Sequence, residues 1–225
     1  MNLKNLLMSS RIAPMPRLEY LLGMLRITRW ISERSTPQTK VFEKRPEMYR
    51  WVAKDLLADR PVQYLEFGVF SGASMRFWVE CNQNSESRFH GFDTFEGLPE
   101  DWQYFSGMAE RGSFSAEGKI PQIDDSRVSF YKGLFQQTLP DFIGTTQLDG
   151  QLVLHMDADL YSSTMYVLAR MHPLIVAGTV LIFDEFTGPL DEFRAWTEYT
   201  HSHMRTYELL GQRKNYEQDV LRELS

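Results

Sequence analysis

Two apolar runs constrain the fold of this chain more than any other feature. They read "LVLHM" at residues 152–156 and "TVLIF" at 179–183, with apolar residues at successive rather than alternate positions. Strands of this kind are buried on both faces, as in a parallel sheet that helices cover on both sides. Further strands are predicted at 62–67, 89–92 and 128–131, and helices at 73–80, 163–171 and 190–199. The alternation predicts an α/β fold with a doubly wound, mostly parallel sheet.

The two ends of the chain add smaller elements. Near the N-terminus, a helical apolar stripe is formed by Leu18, Leu21, Leu22, Leu25 and Ile27. It could dock on the domain, form a subunit contact or lie on a membrane surface, and we favour packing on protein because most apolar stripes face a core. Near the C-terminus, two strand-like segments flank "GQRKN" and predict a hairpin that closes one edge of the sheet.

Composition excludes some partners and compartments. The net charge of −6 argues against a nucleic-acid partner, because neutralising phosphates requires clustered Lys and Arg. Cys81 is the single cysteine, so it forms no internal disulfide, and a soluble protein of the cytoplasm is expected. The longest apolar stretch, at 174–183, is far short of the ~20 residues that a membrane-spanning helix needs.

One long segment, 99–125, lacks periodicity and predicts a functional loop or lid. Its aromatic residues Trp102, Tyr104 and Phe105 could stack on a sugar or anchor the loop. The segment carries no other readable signal, so the sequence does not specify what it contacts.

Acidic residues follow most of the predicted strands. Ligands of an open parallel sheet sit beyond the carboxyl ends of its strands, so these positions are candidates for a binding site. The acidic residues at these strand ends are Glu66, Asp93, Asp157, Asp159, Asp184 and Glu185. A cleft so lined would favour a ligand that carries positive charge.

The first strand runs into a glycine turn, "EFGVFSG", that differs from a dinucleotide-binding motif. Gly68 and Gly72 are four residues apart, and Glu66 before them would repel a pyrophosphate. Asp93 ends the next strand, where a carboxylate can accept both hydroxyls of a ribose. An ordinary tight turn and a helix-capping aspartate are the alternatives. Together these residues predict a ligand that is a positively charged nucleoside, and S-adenosylmethionine fits that description.

Five blocks carry a resemblance to a known family. They are "YLEFGVFSGASMRFW", "GFDTFEGLPEDW", "KGLFQQTLPDF", "HMDADLYSSTMYVL" and "AGTVLIFDEF". The chain resembles class I S-adenosylmethionine-dependent methyltransferases, and more narrowly the macrocin and mycinamicin O-methyltransferases. The resemblance implies a Rossmann-like, seven-stranded sheet with an antiparallel C-terminal edge strand, an N-terminal helical extension at 1–40 and a methyltransferase domain at 41–225. It also implies a homodimer or higher homo-oligomer and a small hydroxylated acceptor, such as a sugar or natural product.

The resemblance also assigns residues to the cofactor and to a metal. The residues matched to the cofactor site are Glu66, Phe67, Gly68, Val69, Ser71, Gly72, Ser74, Asp93, Thr94, Leu134, Phe135 and Asp157. Asp157, Asp184 and Glu185 match a divalent-metal triad, and three carboxylates suit a hard cation such as Mg²⁺. The third position of that triad is usually Asp or Asn, so Glu185 is one methylene longer. The alternative is that Asp184 and Glu185 cap the helix that follows.

Asp157 and Asp159 are the candidate catalytic residues, because an acceptor hydroxyl must lose its proton during methyl transfer. The lysine that does this in catechol O-methyltransferases has no counterpart, since its position near Leu160 is apolar. His155 is expected to pack in the core. Two rival functions remain: a nucleotide-sugar glycosyltransferase that uses Asp157-Ala-Asp159, and a cofactor-binding methyltransferase fold without activity. A diphosphate would face Glu66 and Asp93 without compensating charge, which disfavours the first.

Overall fold

A computed structural model describes residues 16–104, 107–214 and 217–224. Residues 1–15 of the predicted N-terminal extension and Phe105 of the predicted loop lie outside the described residues. No described helix is both long and apolar enough to cross a membrane. The first described helix is also not separate from the rest of the protein, as the packing of the core shows.

Ten strands and six α-helices alternate along the described residues. The strands are β1 (Lys40–Phe42), β2 (Val62–Phe67), β3 (Arg88–Asp93), β4 (Trp102–Tyr104), β5 (Gly107–Ala109), β6 (Val128–Lys132), β7 (Gln151–Met156), β8 (Val180–Phe183), β9 (Tyr207–Arg213) and β10 (Asp219–Glu223). The helices are α1 (Pro16–Arg34), α2 (Arg45–Trp51), α3 (Ala73–Cys81), α4 (Phe135–Thr145), α5 (Tyr161–Met171) and α6 (Glu192–Ser202). A π-helical turn, Val52–Leu56, extends α2, and a 3₁₀ turn, His172–Leu174, follows α5.

The main sheet has eight strands in the order β1-β9-β10-β8-β7-β2-β3-β6. All neighbouring pairs are parallel except those that β10 makes with β8 and β9. The α/β class and the reversed strand are confirmed, but two details of the prediction are wrong. The sheet has an eighth strand, β1, and the reversed strand lies inside the sheet instead of at its edge.

β10 lies inside the sheet because it pairs with β8 on one side and β9 on the other. Val220 and Leu221 are both fully buried and pack in different core clusters, so the strand is covered on both faces. The hairpin partner β9 pairs with the short strand β1, which forms the edge instead. The hairpin around "GQRKN" is therefore confirmed, and only the order of its strands differs from the prediction.

Two hydrophobic clusters cover the two faces of the sheet, because alternate residues of each central strand point to opposite sides. Leu65 and Phe67 of β2 belong to the first cluster, with α1, α4, α5 and α6. Val62 and Tyr64 belong to the second, with α2 and α3. Cys81 is buried in this second cluster, as a small apolar residue would be.

Helix α1 packs on the first cluster through only part of the predicted stripe. Ile27 of that stripe is buried there together with Ile31, whereas Leu18, Leu21, Leu22 and Leu25 are exposed. The predicted boundary at residue 40 falls at the start of β1, so the extension and the domain share one core and one sheet. The division of the chain at this point stays a prediction.

Candidate active site

A cleft of about 490 Å³ opens at the carboxyl ends of β2, β3, β6, β7 and β8. Predicted site residues meet there from five loops that are far apart in sequence. Those that line it are Gly68, Val69, Asp93, Thr94, Leu134, Phe135, Asp157, Asp159, Asp184 and Glu185. The rule that ligands bind beyond the carboxyl ends of parallel strands therefore located the cleft.

The turn after β2 requires glycine for reasons internal to the protein. Gly68 has φ +96°, and a Cβ atom there would lie 1.7 Å from the backbone oxygen of Asp157. The Asp157 N–H in turn donates to the Phe67 carbonyl at 2.9 Å. No side chain fits between these two loops, so Gly68 allows the turn and the acidic loop after β7 to touch.

Asp93 fastens the same turn to the end of β3. Its Oδ2 accepts the N–H groups of Val69 at 2.7 Å and Phe70 at 2.8 Å, and its Oδ1 accepts the N–H of Phe95 at 2.6 Å. Phe70 has φ +51° and is 47% exposed at the cleft. A bulky residue at positive φ must be held by its surroundings, and the Asp93 carboxylate does this here.

The remaining predicted cofactor residues, Glu66, Phe67, Ser71, Gly72 and Ser74, are not among the lining residues of the cleft. Phe67 is fully buried and stacks on Phe92 with ring centres 5.1 Å apart. Gly72 precedes α3 with φ +77°. Their contact with a cofactor stays a prediction, and their described contacts are with the protein itself.

Glu66 belongs to a buried polar network on the side of the sheet covered by α2 and α3. Its carboxylate accepts hydrogen bonds from the hydroxyls of Tyr64, at 2.9 Å, and Ser74. Tyr64 also pairs with His155 Nδ1 at 2.6 Å, and Tyr49 pairs with His155 Nε2 at 3.0 Å. Burial raises the pKa of the Glu66 carboxyl. His155 is buried as predicted, but it is a bridge between two tyrosines.

Asp184 connects this network with the cleft. Its Oδ1 accepts Gln218 Nε2 at 2.7 Å and lies 3.4 Å from the Tyr49 hydroxyl, while its Oδ2 forms an ion pair with Arg45 at 2.7 Å. Burial acts to raise the pKa of Asp184, but its contacts with His155, Arg45 and Gln218 outweigh burial and lower it. Asp184 is therefore the ionised carboxylate of the group.

The three other acidic residues that follow β7 and β8 differ from Asp184. Within the described residues, no hydrogen bond or ion pair reaches the side chains of Asp157, Asp159 or Glu185. Burial and the charge of Asp184 raise the pKa of Asp157 well above its usual range. Burial and the neighbouring carboxylates raise the pKa of Asp159 to about 7, and burial with Asp184 raises that of Glu185 to about 7. A bound cation would relieve this repulsion.

The structure brings together two of the three predicted metal ligands. One ligand atom each of His155, Asp157 and Asp184 lies within 4.8 Å of the others, and Glu185 is not part of this group. Both ring nitrogens of His155 already pair with tyrosines, and Mg²⁺ prefers oxygen. Asp157, Asp184 and Glu185 all line the cleft, but the metal triad that they would form stays a prediction.

Part of the chain matches a known protein family. The methyltransferase domain family matches residues 65–186, which is more than half of the chain. The chain belongs to this family. It is a class I S-adenosylmethionine-dependent methyltransferase, as the five sequence blocks indicated. The glycosyltransferase alternative is overturned by the match.

Two curated relatives of this methyltransferase are named O-methyltransferases. Demethyldecarbamoylnovobiocin O-methyltransferase of Streptomyces niveus is 28% identical over 181 residues, covering 70% of the chain and 68% of the relative. The 8-demethyl-8-(2,3-dimethoxy-alpha-L-rhamnosyl)-tetracenomycin-C 4'-O-methyltransferase of Streptomyces olivaceus is 28% identical over 175 residues, covering 68% and 64%. The chain thus spans about two thirds of these relatives. The structure of the O-methyltransferase NovP shares the fold, with TM-score 0.60, 24% identity and 80% coverage of each chain.

Sequence reasoning missed two contributors to the site of this methyltransferase. Arg45 is the one basic side chain among the described lining residues, and it pairs with Asp184. Trp102, which the sequence named as a residue that could stack on a sugar or anchor its loop, lines the cleft and donates its indole N–H to Asp191 at 3.2 Å. Glu192 is fully buried beneath the acidic loops. No local pattern marks Arg45 or Glu192, because their partners lie far away in sequence or on another loop.

Proposed function

We propose that this methyltransferase transfers a methyl group to a hydroxyl oxygen of a small hydroxylated acceptor, such as a sugar or another natural product, with Mg²⁺ assistance. The observation that carries the proposal is one cleft lined by both the glycine turn and the acidic residues that follow β7 and β8. Relatives named as O-methyltransferases support oxygen as the acceptor atom. The acceptors in their names also support a hydroxylated natural product.

The cofactor end of the cleft is the one formed by Gly68, Asp93 and Phe135. Bound S-adenosylmethionine supplies an electrophilic methyl group, so the main task of the protein is to hold donor and acceptor in line. We assign ribose recognition to Asp93, which keeps acceptor capacity beyond its three backbone partners. Leu134 and Phe135 offer apolar surface beside it for a base.

The metal end of the cleft is formed by Asp157, Asp184 and Glu185. A divalent cation held there would supply positive charge that favours the ionised form of an acceptor hydroxyl. The three carboxylates would hold it, and the contacts of Asp184 with His155 and Arg45 lower the pKa of that carboxyl and favour its ionised form. The longer side chain of Glu185 is compatible with this role, because it lines the same cleft and has no other described side-chain partner.

We assign proton removal from the acceptor to Asp159. Its carboxyl lines the cleft, and burial with the nearby carboxylates raises its pKa to about 7. Only the ionised carboxylate can accept the proton, and a cation on the neighbouring carboxylates would favour that form by lowering this pKa.

The test is acceptor-dependent release of S-adenosylhomocysteine from S-adenosylmethionine, measured over a panel of sugars, glycosylated natural products and phenols with Mg²⁺ or with EDTA. Release with a hydroxylated acceptor that EDTA suppresses is expected. Stabilisation by S-adenosylhomocysteine in a thermal-shift titration without release from any acceptor would favour a silent binding protein. Turnover that EDTA leaves unchanged would remove Asp184 and Glu185 from the mechanism.

A second test addresses the cofactor end alone. Asp93→Ala should weaken S-adenosylhomocysteine binding about 10- to 100-fold by calorimetry, because a lost hydrogen bond to a charged group costs ~1.5–3 kcal/mol. The control is Asp101→Ala, since Asp101 also accepts a backbone N–H in a loop, from Arg111 at 2.8 Å, but does not line the cleft. Equal affinity of the two variants would refute the assignment.

The assembly and location that the sequence indicated are part of the proposal only. We propose a homodimer or higher homo-oligomer in the cytoplasm. Size-exclusion chromatography with light scattering measures the first, and a single-chain mass at micromolar concentration would contradict it.

A further inference from the structure

Glu192, the first residue of α6, has an unusual position for a glutamate. It is fully buried, and its two carboxylate oxygens accept backbone N–H groups from two different loops. Oε1 accepts the N–H of Ala158 at 3.1 Å, and Oε2 accepts the N–H of Glu185 at 3.1 Å. Ala158 lies between Asp157 and Asp159, and Glu185 follows Asp184. One side chain thus joins the two acidic segments of the cleft.

We propose that Glu192 is a positioning residue that holds the loop of Asp157 and the loop of Glu185 in a fixed register. The functional consequence rests on the proposed function, because this register sets the spacing of the proposed metal ligands. Glu192 lies beyond residues 65–186, which the family match covers.

The need for such a residue follows from where the sheet ends. The ladder between β7 and β8 finishes at the pair Met156 and Phe183, and the last backbone bond is from the Asp184 N–H to the Met156 carbonyl at 2.9 Å. Beyond this bond, the segment after β7 leads into α5 and the segment after β8 leads into α6. A carboxylate offers two acceptor oxygens with a fixed spacing, so it can bridge two N–H donors that no longer face each other's carbonyls.

A simpler explanation is that Glu192 only complements the dipole of α6. Acidic residues are common in the first turn of a helix for that reason, but such residues are typically at the surface. Glu198 of the same helix is exposed and pairs with Arg194 and Tyr161. Glu192 is instead fully buried next to other carboxylates. Burying a carboxylate costs free energy, and in Glu192 the two backbone hydrogen bonds offset that cost.

The neighbouring residue gives the start of α6 a second contact. Asp191 accepts a hydrogen bond from Trp102 Nε1 of β4 at 3.2 Å. The start of α6 is therefore held at two successive residues, by the acidic loops at Glu192 and by β4 at Asp191.

The experiment compares Glu192→Gln, Glu192→Asp and the control Glu198→Gln in the full chain. Glutamine keeps the size but offers one acceptor oxygen, and aspartate keeps the charge but is too short to reach both loops. The first readout is hydrogen–deuterium exchange of the Ala158 and Glu185 amides without metal. Exchange about tenfold faster at one or both amides is expected in both Glu192 variants, and no change in Glu198→Gln.

The second readout is Mn²⁺ binding by calorimetry in the presence of S-adenosylhomocysteine. Changes in groups that support metal ligands typically cost 10- to 100-fold in metal affinity, so a loss of about that size is expected for both Glu192 variants. Affinity for S-adenosylhomocysteine should stay within about twofold in all variants, because Glu192 does not line the cleft.

The outcomes separate this inference from the proposed function. Wild-type-like exchange in both Glu192 variants would overturn the positioning role. Wild-type exchange and Mn²⁺ affinity in Glu192→Asp would also overturn it, because the charge of the side chain rather than its length would then hold the loops. If the wild type binds no Mn²⁺, the metal part of the proposed function fails, and amide exchange alone still decides whether Glu192 holds the loops.

Discussion

Two groups of polar side chains meet at the carboxyl end of β7, and they are built in opposite ways. The paired group, Tyr49, Tyr64, Glu66 and His155, is fully buried, and its members hydrogen-bond to one another. The cleft group, Asp157, Asp159 and Glu185, receives no side-chain hydrogen bond from the part of the chain that the structure describes. In sequence, only Met156 separates His155 of the paired group from Asp157 of the cleft group.

This difference indicates that the paired group stabilises the fold and that the cleft group is suited to binding a ligand. A buried polar group stabilises only when its partners are all present, and the paired group meets that condition. The cleft group carries raised pKa values because like charges are held together without a counter-ion. We therefore expect changes in the paired group to lower stability, and changes in the cleft group to lower activity while raising stability.

The largest expected effect is on turnover. Asp159→Asn removes the proposed proton acceptor and should lower kcat about 10²- to 10⁴-fold with an acceptor found in the panel assay. Affinity for S-adenosylhomocysteine should stay unchanged, since Asp159 is not among the assigned cofactor contacts. A kcat within threefold of the wild type would contradict the base assignment, and Asp157 would then be the remaining candidate.

The next effect concerns the paired group. His155→Phe leaves the hydroxyls of Tyr49 and Tyr64 without their shared partner, so a loss of about 3 kcal/mol is expected, or about 6–12 °C in Tm. The control is His90→Phe, because His90 is also buried but makes one described side-chain hydrogen bond, to Tyr131 at 3.2 Å. Equal losses in Tm for the two variants would show that bridging two tyrosines stabilises the fold no more than a single side-chain hydrogen bond does.

The fold was predictable from sequence where burial dictated the residue types. β2, β7 and β8 are mostly apolar and are buried on both faces, and the predictions for them agree with the structure within one residue at each end. Helix α4 was not predicted, because Pro140 and Gly144 lower the helical tendency of its sequence. The helix forms because Leu139 and Phe142 pack on the first core cluster, which is a tertiary effect.

The candidate site was predictable to the same extent and for a related reason. Strand ends are local features, so the acidic residues after β7 and β8 could be identified together. Arg45 and Glu192 could not, because their partners come from other loops and only the folded chain brings them together. The small hairpin of β4 and β5 in segment 99–125 was missed because its strands are short and mostly exposed.

The smallest predicted effect tests the sign of the cleft group's contribution to stability. Burial and Asp184 raise the pKa of Glu185 to about 7 in the folded protein, above its usual value. A raised carboxyl pKa means that the group's contribution to stability is complete at low pH and is lost as the pH rises through about 7. In EDTA, Glu185→Gln should therefore raise Tm, by about 2–4 °C more at pH 8 than at pH 6, since one pKa unit corresponds to about 1.4 kcal/mol.

The control for this comparison is Glu198→Gln, which removes an exposed carboxylate whose pKa is lowered by the hydroxyl of Tyr161 and by Arg194. Its effect on Tm should be slightly unfavourable and equal at pH 6 and pH 8, because a carboxyl with a lowered pKa is ionised at both. Mg²⁺ should reduce the advantage of Glu185→Gln, as the cation would offset the repulsion in the wild type. A lower Tm for Glu185→Gln at pH 8 in EDTA would mean that Glu185 stabilises the fold, and the contrast between the two groups would then hold only for Asp157 and Asp159.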